Sequence, residues 1–259
     1  MITLKSADEI EKLYRANQVV AEVLSVLEEK TEPGIDTLTL DRLAYEICIQ
    51  RGAKPAFLNY PGPTPYPGTI CASVNEEVVH GIPSKNRVLK EGDILSIDFG
   101  CHLDGFVGDS ALTVAVGKIS KEAALLMKAT RESLFAGIDM AREGNRLFDI
   151  SHAVQSVAEA AGFSVVRDFV GHGIGREMHE PPQIPNYGQP GRGVRLKNGM
   201  VLALEPMVNV GTYEVKVKED GWTAVTADGQ LSCHFEHSIA ITPDGPRILS
   251  QRRSETAHG

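Results

Sequence analysis

The sequence predicts an α+β protein of two similar halves related by a pseudo-twofold axis, with an antiparallel composite sheet and helices on its outer face. The first observation is an internal repeat, because Leu89–Asp98 matches Leu196–Glu205 at a constant offset of 107 residues. The second is the order of patterns, because in each half two helical periodicities precede a strand-like alternation that carries an acid. A period of about 110 residues is too long for a solenoid repeat. We therefore expect halves at about 20–118 and 122–243.

The composition is that of an ordinary globular chain of 259 residues, of which 42% are hydrophobic and 23% are charged. A net charge of −8 and the lack of a Lys/Arg run argue against a nucleic-acid partner. The four cysteines are scattered without zinc or disulfide spacing, and no apolar run reaches the roughly 18 residues of a membrane span. We expect a cytoplasmic monomer with one domain over residues 1–250 and a polar, frayed tail at 251–259.

Two helices are predicted at the start of the chain. Ser6–Glu9 is a capping-box pattern, and the apolar spacing after it indicates an amphipathic helix to about Lys30. Pro33-Gly34 stops that helix, and a second helix is expected from about Leu38 to Gln50.

Residues 55–70 contain five prolines, so the segment forms neither a helix nor a central strand. One interpretation is a plain connector between the helices and the strands that follow. The other is a shaped wall over a site, because Tyr60 and Tyr66 lie within the segment. The pattern alone leaves both open.

Residues 93–109 are predicted to form a hairpin, because Leu95, Ile97 and Phe99 alternate with smaller or polar residues. We expect a three-residue loop at Leu103–Gly105, which brings Asp109 within about one position of facing Asp98. Directly opposed residues have Cβ atoms ~5 Å apart, so the two carboxylates repel each other. A positive charge is therefore expected between them.

The second half repeats the order of the first. Ser120 is expected to cap a helix over about 121–136, and a further helix is predicted from about Asp149 to Ala161. The remaining residues, 165–249, are expected to form strands and loops.

Four acids are predicted to converge. Asp98, Glu205 and Glu236 each lie on a strand face otherwise lined by small residues, and Asp109 lies opposite the first. Their summed charge of −4 in a partly buried site would destabilise the fold without cations, and two divalent ions restore neutrality. His172, expected on an exposed glycine-rich loop, adds a nitrogen ligand, and the donor set suits Mn, Fe(II), Co or Zn.

Each of these residues has an ordinary alternative when it is taken alone. A single Asp near a turn is usually solvated, a single buried Glu is usually salt-bridged, and a single loop histidine is usually structural. The joint spacing across the repeat favours a metal site. A calcium-only cluster fits poorly, because an imidazole is a poor calcium ligand. His80 and His179 are weaker functional candidates by position alone.

The combined motifs resemble the type I methionine aminopeptidases over about residues 3–247. The motifs that carry this resemblance are Ile97-Asp98, Gly108-Asp109-Ser110, Gly171–Arg176 with His179-Glu180, Leu204–Pro206 and Phe235–His237. The resemblance implies the pita-bread fold, a dinuclear metal centre, and removal of the initiator methionine from nascent chains whose second residue is small. It also implies that a metal-activated water attacks the first carbonyl of the chain.

The resemblance also implies roles for individual residues. The implied metal ligands are Asp98, Asp109, His172, Glu205 and Glu236, with Asp109 and Glu236 bridging. The implied catalytic residues are His80, His179 and Glu205, in which Glu205 relays a proton, His179 stabilises the oxyanion and His80 holds the backbone beyond the cleaved bond. The implied methionine pocket consists of Tyr60, Tyr66, Cys71, Met178 and Trp222.

Spacing indicates the subtype and the alternatives. Only 31 positions separate Glu205 from Glu236, which resembles the short bacterial form rather than type II enzymes. An X-Pro dipeptidase on the same scaffold is the alternative enzyme, and a non-catalytic binding protein is the alternative class. Glu177, Met178 and the longer proline-rich loop depart from the family pattern near the pocket. The expected partners are N-termini of nascent polypeptides and, transiently, the ribosome.

Overall fold

The computed structural model describes residues 2–252 and 255, which form four helices and fifteen strands. The helices are α1 (Ala7–Lys30), α2 (Thr37–Gln50), α3 (Lys121–Met140) and α4 (Leu147–Ala160). The strands are β1 (Lys54–Pro55), β2 (Cys71–Val74), β3 (Glu77–Val79), β4 (Ile94–Leu103), β5 (Phe106–Ala115), β6 (Ser164–Val165), β7 (Gly171–Gly173), β8 (Glu180–Ile184), β9 (Val201–Leu204), β10 (Met207–Asn209), β11 (Val215–Val217), β12 (Ala224–Thr226), β13 (Ser232–His234), β14 (His237–Thr242) and β15 (Gly245–Ile248).

The four predicted helices are present, with shifted ends in the second half. The predicted capping box at Ser6 is confirmed, since its hydroxyl accepts from the Glu9 amide and the Glu9 carboxylate accepts from the Ser6 amide. Ser120 caps α3 as predicted, but α3 runs to Met140, four residues further than expected. Gly137 lies within α3 and allows the close approach of α4, since a Cβ there would lie 2.8 Å from Cγ2 of Val154.

Every strand pairing is antiparallel. In one sheet β5 pairs along the whole of one edge of β4, and β1 and β2 pair with successive parts of the other edge. The largest sheet has the order β15-β14-β9-β7-β8. Two small sheets, β13-β10-β6 and β11-β12-β3, complete the strand layer. The two larger sheets are linked where the Glu236 amide donates to the Ala111 carbonyl at 2.9 Å and the Ser238 hydroxyl donates to the Asp109 carbonyl at 2.8 Å.

Equivalent hydrogen bonds in the two halves confirm the internal repeat. The Leu89 amide donates to the Ile35 carbonyl at 2.8 Å, and the Leu196 amide donates to the Asn145 carbonyl at the same distance. Isolated bridges pair Asp36 with Val88 and Arg146 with Arg195. Each pair therefore joins the start of a second helix to the segment that precedes an acid-bearing strand, so the pseudo-twofold arrangement is present in the backbone.

The main core lies between the helices and one face of the strands. Leu95, Ile97 and Phe99 on β4 are fully buried and belong to the same apolar cluster as Val20 and Leu24 of α1. Ser96 and Asp98, which alternate with these three residues, therefore face away from the helices. Burial of the apolar face holds the acid-bearing face in place on the opposite side of the sheet.

The predicted hairpin is confirmed, but its loop has two residues instead of three. Asp104 and Gly105 both have positive φ angles, of 51° and 78°, as a type I′ turn requires. In the resulting register Asp98 pairs with Ala111, and Asp109 pairs with Gly100. The three-residue loop was therefore wrong, and it would have placed the two acids on opposite faces. The real register puts them on one face as diagonal neighbours.

The expected frayed tail is wrong at two positions. Arg252 is buried, and its guanidinium donates to the Glu255 carboxylate at 2.8 Å. Nε2 of His237 lies 3.5 Å from the same carboxylate. Residues 253, 254 and 256–259 of the predicted tail lie outside the described residues. None of the helices in the described part of the chain is long and apolar enough to cross a membrane.

Candidate metal centre and its cavity

The four predicted acids converge on one cavity of about 150 Å³. Asp98 lies on β4 and Asp109 on β5, whereas Glu205 follows the end of β9 and Glu236 lies between β13 and β14. The expectation that Glu236 lies on a strand was therefore wrong. β9 ends at Leu204 because Pro206 follows Glu205, and a proline has no amide hydrogen with which to continue the ladder.

His172 also reaches this cavity, but from a strand. It was expected on an exposed loop, and instead it is the central residue of β7 and is only 6% exposed. The flanking glycines serve close packing rather than exposure. A Cβ at Gly171 would overlap the Ala203 carbonyl, and one at Gly173 would overlap the Pro181 carbonyl. Only glycine allows the neighbouring backbones to approach β7 this closely.

The imidazole of His172 is oriented to offer a lone pair. Its Nδ1 donates to the Gly173 carbonyl at 3.0 Å, because a carbonyl can only accept. Its Nε2 lies 3.3 Å from Oε1 of Glu205 and 3.8 Å from Oδ2 of Asp109. Burial, and then the charge of His179, lower the pKa of His172 to about 4, so the ring is neutral near pH 7. An unprotonated nitrogen therefore faces carboxylates, which calls for a cation between them.

The acids are under electrostatic stress in the absence of a cation. Burial raises the pKa of Asp98 to about 7. Burial and then the neighbouring carboxylates raise the pKa values of Asp109, Glu205 and Glu236 well above the ordinary range. Oδ1 of Asp98, Oδ1 of Asp109 and Oε1 of Glu236 are buried without a hydrogen-bond partner. Orphaned buried acceptors of this kind are costly unless a cation completes them.

The residues fit a divalent metal centre. Asp109, His172 and Glu236 each offer one ligand atom, and these atoms lie within 4.8 Å of one another. Asp98 and Glu205 line the same cavity and add further carboxylate oxygens. Oxygen donors with one imidazole suit Mn, Fe(II), Co or Zn.

The rest of the cavity wall is mainly aromatic. Of the predicted pocket residues, the cavity is lined by Tyr60, Tyr66, Cys71 and Trp222, together with His80 and His179. Met178 does not line it. Its side chain packs with the wall residues Phe57 and Tyr60, and a Cβ at Gly100 would lie 2.8 Å from Cε of Met178. The proline-rich segment is thus a wall rather than a plain connector, as one of the two interpretations held.

Two histidines project into the cavity from different directions. Nδ1 of His179 lies 2.7 Å from the hydroxyl of Tyr60, and its ring centroid lies 4.5 Å from that of His172. His80 has a positive φ of 60°, and its ring contacts Phe169 and Trp222 edge-on at 5.4 and 6.2 Å. Burial lowers the pKa of His179, and burial followed by the charge of His179 lowers that of His80 to about 4.

Two residues of this region were missed from the sequence. Phe57 lines the cavity, and an aromatic residue three positions before Tyr60 was the available signal. His234 is buried on β13, and its Nε2 has no hydrogen-bond partner and lies 3.9 Å from Oε2 of Glu205. Burial, and then the charge of His80, lower the pKa of His234 to about 3. Its position two residues before Glu236 was the only hint in the sequence.

Comparisons with known proteins agree with this geometry. Residues 11–243 match the model of metallopeptidase family M24. A methionine aminopeptidase of Clostridium acetobutylicum is 54% identical over 250 residues, covering 96% of this chain and 99% of the relative. Methionine aminopeptidase 1 of Bacillus subtilis is 50% identical over 251 residues, covering 97% and 100%.

Comparison with a solved structure supports the same family through the fold. The crystal structure of methionine aminopeptidase from Thermotoga maritima matches with a TM-score of 0.95 and 49% identity, covering 97% of this chain and 100% of that one. The pita-bread fold that the resemblance implied is thereby confirmed. With a family match over most of its length and a carboxylate–histidine cluster in its cavity, the chain belongs to metallopeptidase family M24.

Proposed function

We propose that this chain is a metal-dependent methionine aminopeptidase, which removes the initiator methionine from nascent proteins whose second residue is small. One observation carries the proposal: a single cavity is lined both by an acid–histidine cluster and by aromatic and cysteine side chains. The identities of 50–54% to proteins named methionine aminopeptidase support the same substrate.

In this proposal Asp98, Asp109, His172, Glu205 and Glu236 would hold two divalent ions. The three-residue cluster of Asp109, His172 and Glu236 supports this assignment, as do the orphaned oxygens of Asp98, Asp109 and Glu236. Divalent ions bound there supply a Lewis acid and lower the pKa of water toward neutrality.

The protein's own groups then handle the proton and the carbonyl. Glu205, which faces the cavity, takes the proton of the attacking water and relays it to the leaving amine. Burial and then the charge of Asp109 raise the pKa of Tyr60, so its hydroxyl stays protonated, and in this proposal it donates to Nδ1 of His179. Nε2 of the neutral His179 ring therefore carries the hydrogen, which it donates to the carbonyl oxygen of the substrate.

The wall provides selectivity for methionine. Tyr60, Tyr66, Cys71 and Trp222 present polarisable or aromatic surface on which a flexible thioether packs well. Met178 belongs to the apolar cluster against which Phe57 and Tyr60 pack, and in this proposal it contributes to the same pocket. In this proposal His80 holds the peptide backbone beyond the cleaved bond.

The catalytic unit comprises residues 1–250, with pseudo-symmetric halves at about 20–118 and 122–243. We propose that it acts in the cytoplasm as a monomer on the N-termini of nascent chains, with transient association with the ribosome. The net charge of −8 is consistent with the absence of a direct nucleic-acid site.

A comparison of substrates tests the proposed function. We expect methionine release from Met-Ala-Ser, at least about a hundredfold slower release from Met-Leu-Ser, and no hydrolysis of the dipeptide Ala-Pro. Product analysis by liquid chromatography of the metal-supplemented protein measures all three. Hydrolysis of Ala-Pro in preference to Met-Ala-Ser would favour the X-Pro dipeptidase alternative instead.

A further inference from the structure

The five residues Pro61-Gly62-Pro63-Thr64-Pro65, here called the proline loop, form a closed and rigid support beside the cavity. Two backbone hydrogen bonds close its base: the Tyr66 amide donates to the Tyr60 carbonyl at 3.0 Å, and the Asn59 amide donates to the Tyr66 carbonyl at 2.8 Å. Its three prolines each have a restricted φ angle. The loop therefore keeps one shape although it lies at the surface.

The indole of Trp222 rests on this loop. Its Nε1 donates to the Thr64 carbonyl at 3.0 Å, so a backbone group of the loop sets the direction of the ring. Pro63 packs against the backbone of Gly221, where a Cβ would lie 3.3 Å from Cβ of Pro63. The contacts of the loop with Trp222 and with the preceding Gly221 therefore hold the indole in one orientation.

Gly62 is the point at which the loop and the indole are closest. A Cβ at Gly62 would lie 2.5 Å from Cη2 of Trp222 and would overlap Cζ2. The φ angle of Gly62 is outside the positive region, so glycine is not needed there for the backbone. Space for the six-membered ring, rather than the backbone conformation, is thus the reason for glycine at this position.

On its other side Trp222 forms part of the cavity wall. Its ring contacts Tyr66 edge-on at 5.2 Å and His80 edge-on at 6.2 Å, and all three residues line the cavity, whereas Gly62 does not. The indole therefore stands between Gly62 and the cavity. A side chain at position 62 moves the ring toward the space that the substrate side chain occupies.

We infer that Gly62 is a specificity-determining residue. It leaves the space in which the Trp222 indole packs on the proline loop, and the position of that indole sets the width of the substrate pocket. The inference rests on the proposed function, since it concerns the pocket for the first residue of the substrate. Gly62 acts through Trp222 and touches no substrate itself.

The test is Gly62→Ala, with Pro67→Ala as a matched control at an exposed residue just outside the loop. Trp222 is the only tryptophan of the chain, so a single indole N–H signal in the NMR spectrum of the ¹⁵N-labelled, metal-free protein reports its position. We expect Gly62→Ala to move this signal and to speed its hydrogen exchange at least about tenfold, because the bond to the Thr64 carbonyl is lost. Pro67→Ala should leave both unchanged.

Kinetics test the consequence for specificity. We expect Gly62→Ala to lower kcat/KM for Met-Ala-Ser about tenfold, mainly by raising KM, as narrowing a packed pocket does. In a Trp222→Ala background the same change should have no further effect, since it acts through the indole. An unmoved indole signal in Gly62→Ala would overturn the inference, and so would a moved signal with unchanged kcat/KM. No methionine release by the wild type would overturn the proposed function, and this specificity role with it.

Discussion

Asp109→Asn is expected to lower kcat/KM for Met-Ala-Ser by more than about a hundredfold. Mutation of a residue that only supports a metal ligand already lowers metal affinity or activity about 10–100-fold. Asp109 is buried, and its carboxylate lies within ligand range of His172 and Glu236. The substitution keeps the shape of the side chain but removes its charge. We therefore expect fewer metal ions per protein molecule, measured by mass spectrometry of bound metal.

Although Asp109→Asn should impair activity and metal binding, it should not destabilise the metal-free protein. Burial and then the charges of Asp98 and Glu205 raise the pKa of Asp109, so an ionised Asp109 costs free energy in the folded state. The thermal midpoint of metal-free Asp109→Asn should equal or exceed that of metal-free wild type. Asp104→Asn is the matched control, because Asp104 is exposed in the turn of the same hairpin and tolerates asparagine at its positive φ. Full metal binding by Asp109→Asn would contradict the assignment of this ligand.

His179→Ala is expected to bind the same amount of metal as the wild type but to lose about 10²–10³ in kcat, the usual effect of removing one donor to an oxyanion. Its imidazole stacks edge-on with that of His172 and is held by Tyr60, but none of its atoms belongs to the three-residue ligand cluster. Steady-state kinetics with a parallel metal assay separates the two properties.

Two further variants test the same role of His179. Tyr60→Phe removes the hydroxyl that orients His179, so we expect a smaller loss of kcat in the same direction. His152→Ala is the control, because His152 lies on the exposed side of α4 and forms a hydrogen bond only with Ser156 among the described contacts. Loss of metal from His179→Ala would show that this histidine is a ligand and that its role as a donor is wrong.

The sequence predicted the elements of the fold well, because each rested on a local pattern with a physical cause. The capping box at Ser6 and the alternation of Leu95, Ile97 and Phe99 both describe interactions that the structure contains. The internal repeat predicted that the two halves have the same arrangement, and the equivalent backbone hydrogen bonds of Leu89 and Leu196 agree with it. Burial of one face of β4 then leaves the acid-bearing face on the other side.

The errors arose where one residue or a distant neighbour decides the outcome. A loop longer by one residue would reverse the relative faces of Asp98 and Asp109, and the Asp104-Gly105 pair was the available signal for the shorter loop. The glycines around His172 were interpreted as exposing it, whereas the backbones of Ala203 and Pro181 require them. Those neighbours come from other strands and cannot be inferred from local sequence.

The cavity wall was the least predictable part from residue patterns alone. Tyr60, Tyr66, Cys71 and Trp222 come from separate loops and strands, and the family resemblance, not periodicity, brought them together. Met178 stays a predicted pocket residue, and its Cε lies beside Gly100. His234 was missed because its nearness to Glu205 depends on how β13 and the end of β9 meet.

The measurement that tests the central claim most directly is methionine release from Met-Ala-Ser by metal-stripped protein, titrated in turn with Mn, Fe(II), Co and Zn. Circular dichroism of each sample shows whether the protein remains folded. We predict no release without metal and a rise in release that follows the metal bound at the acid–histidine cluster. Equal release with and without metal, or no release from folded protein with any of the four, would contradict the proposed function.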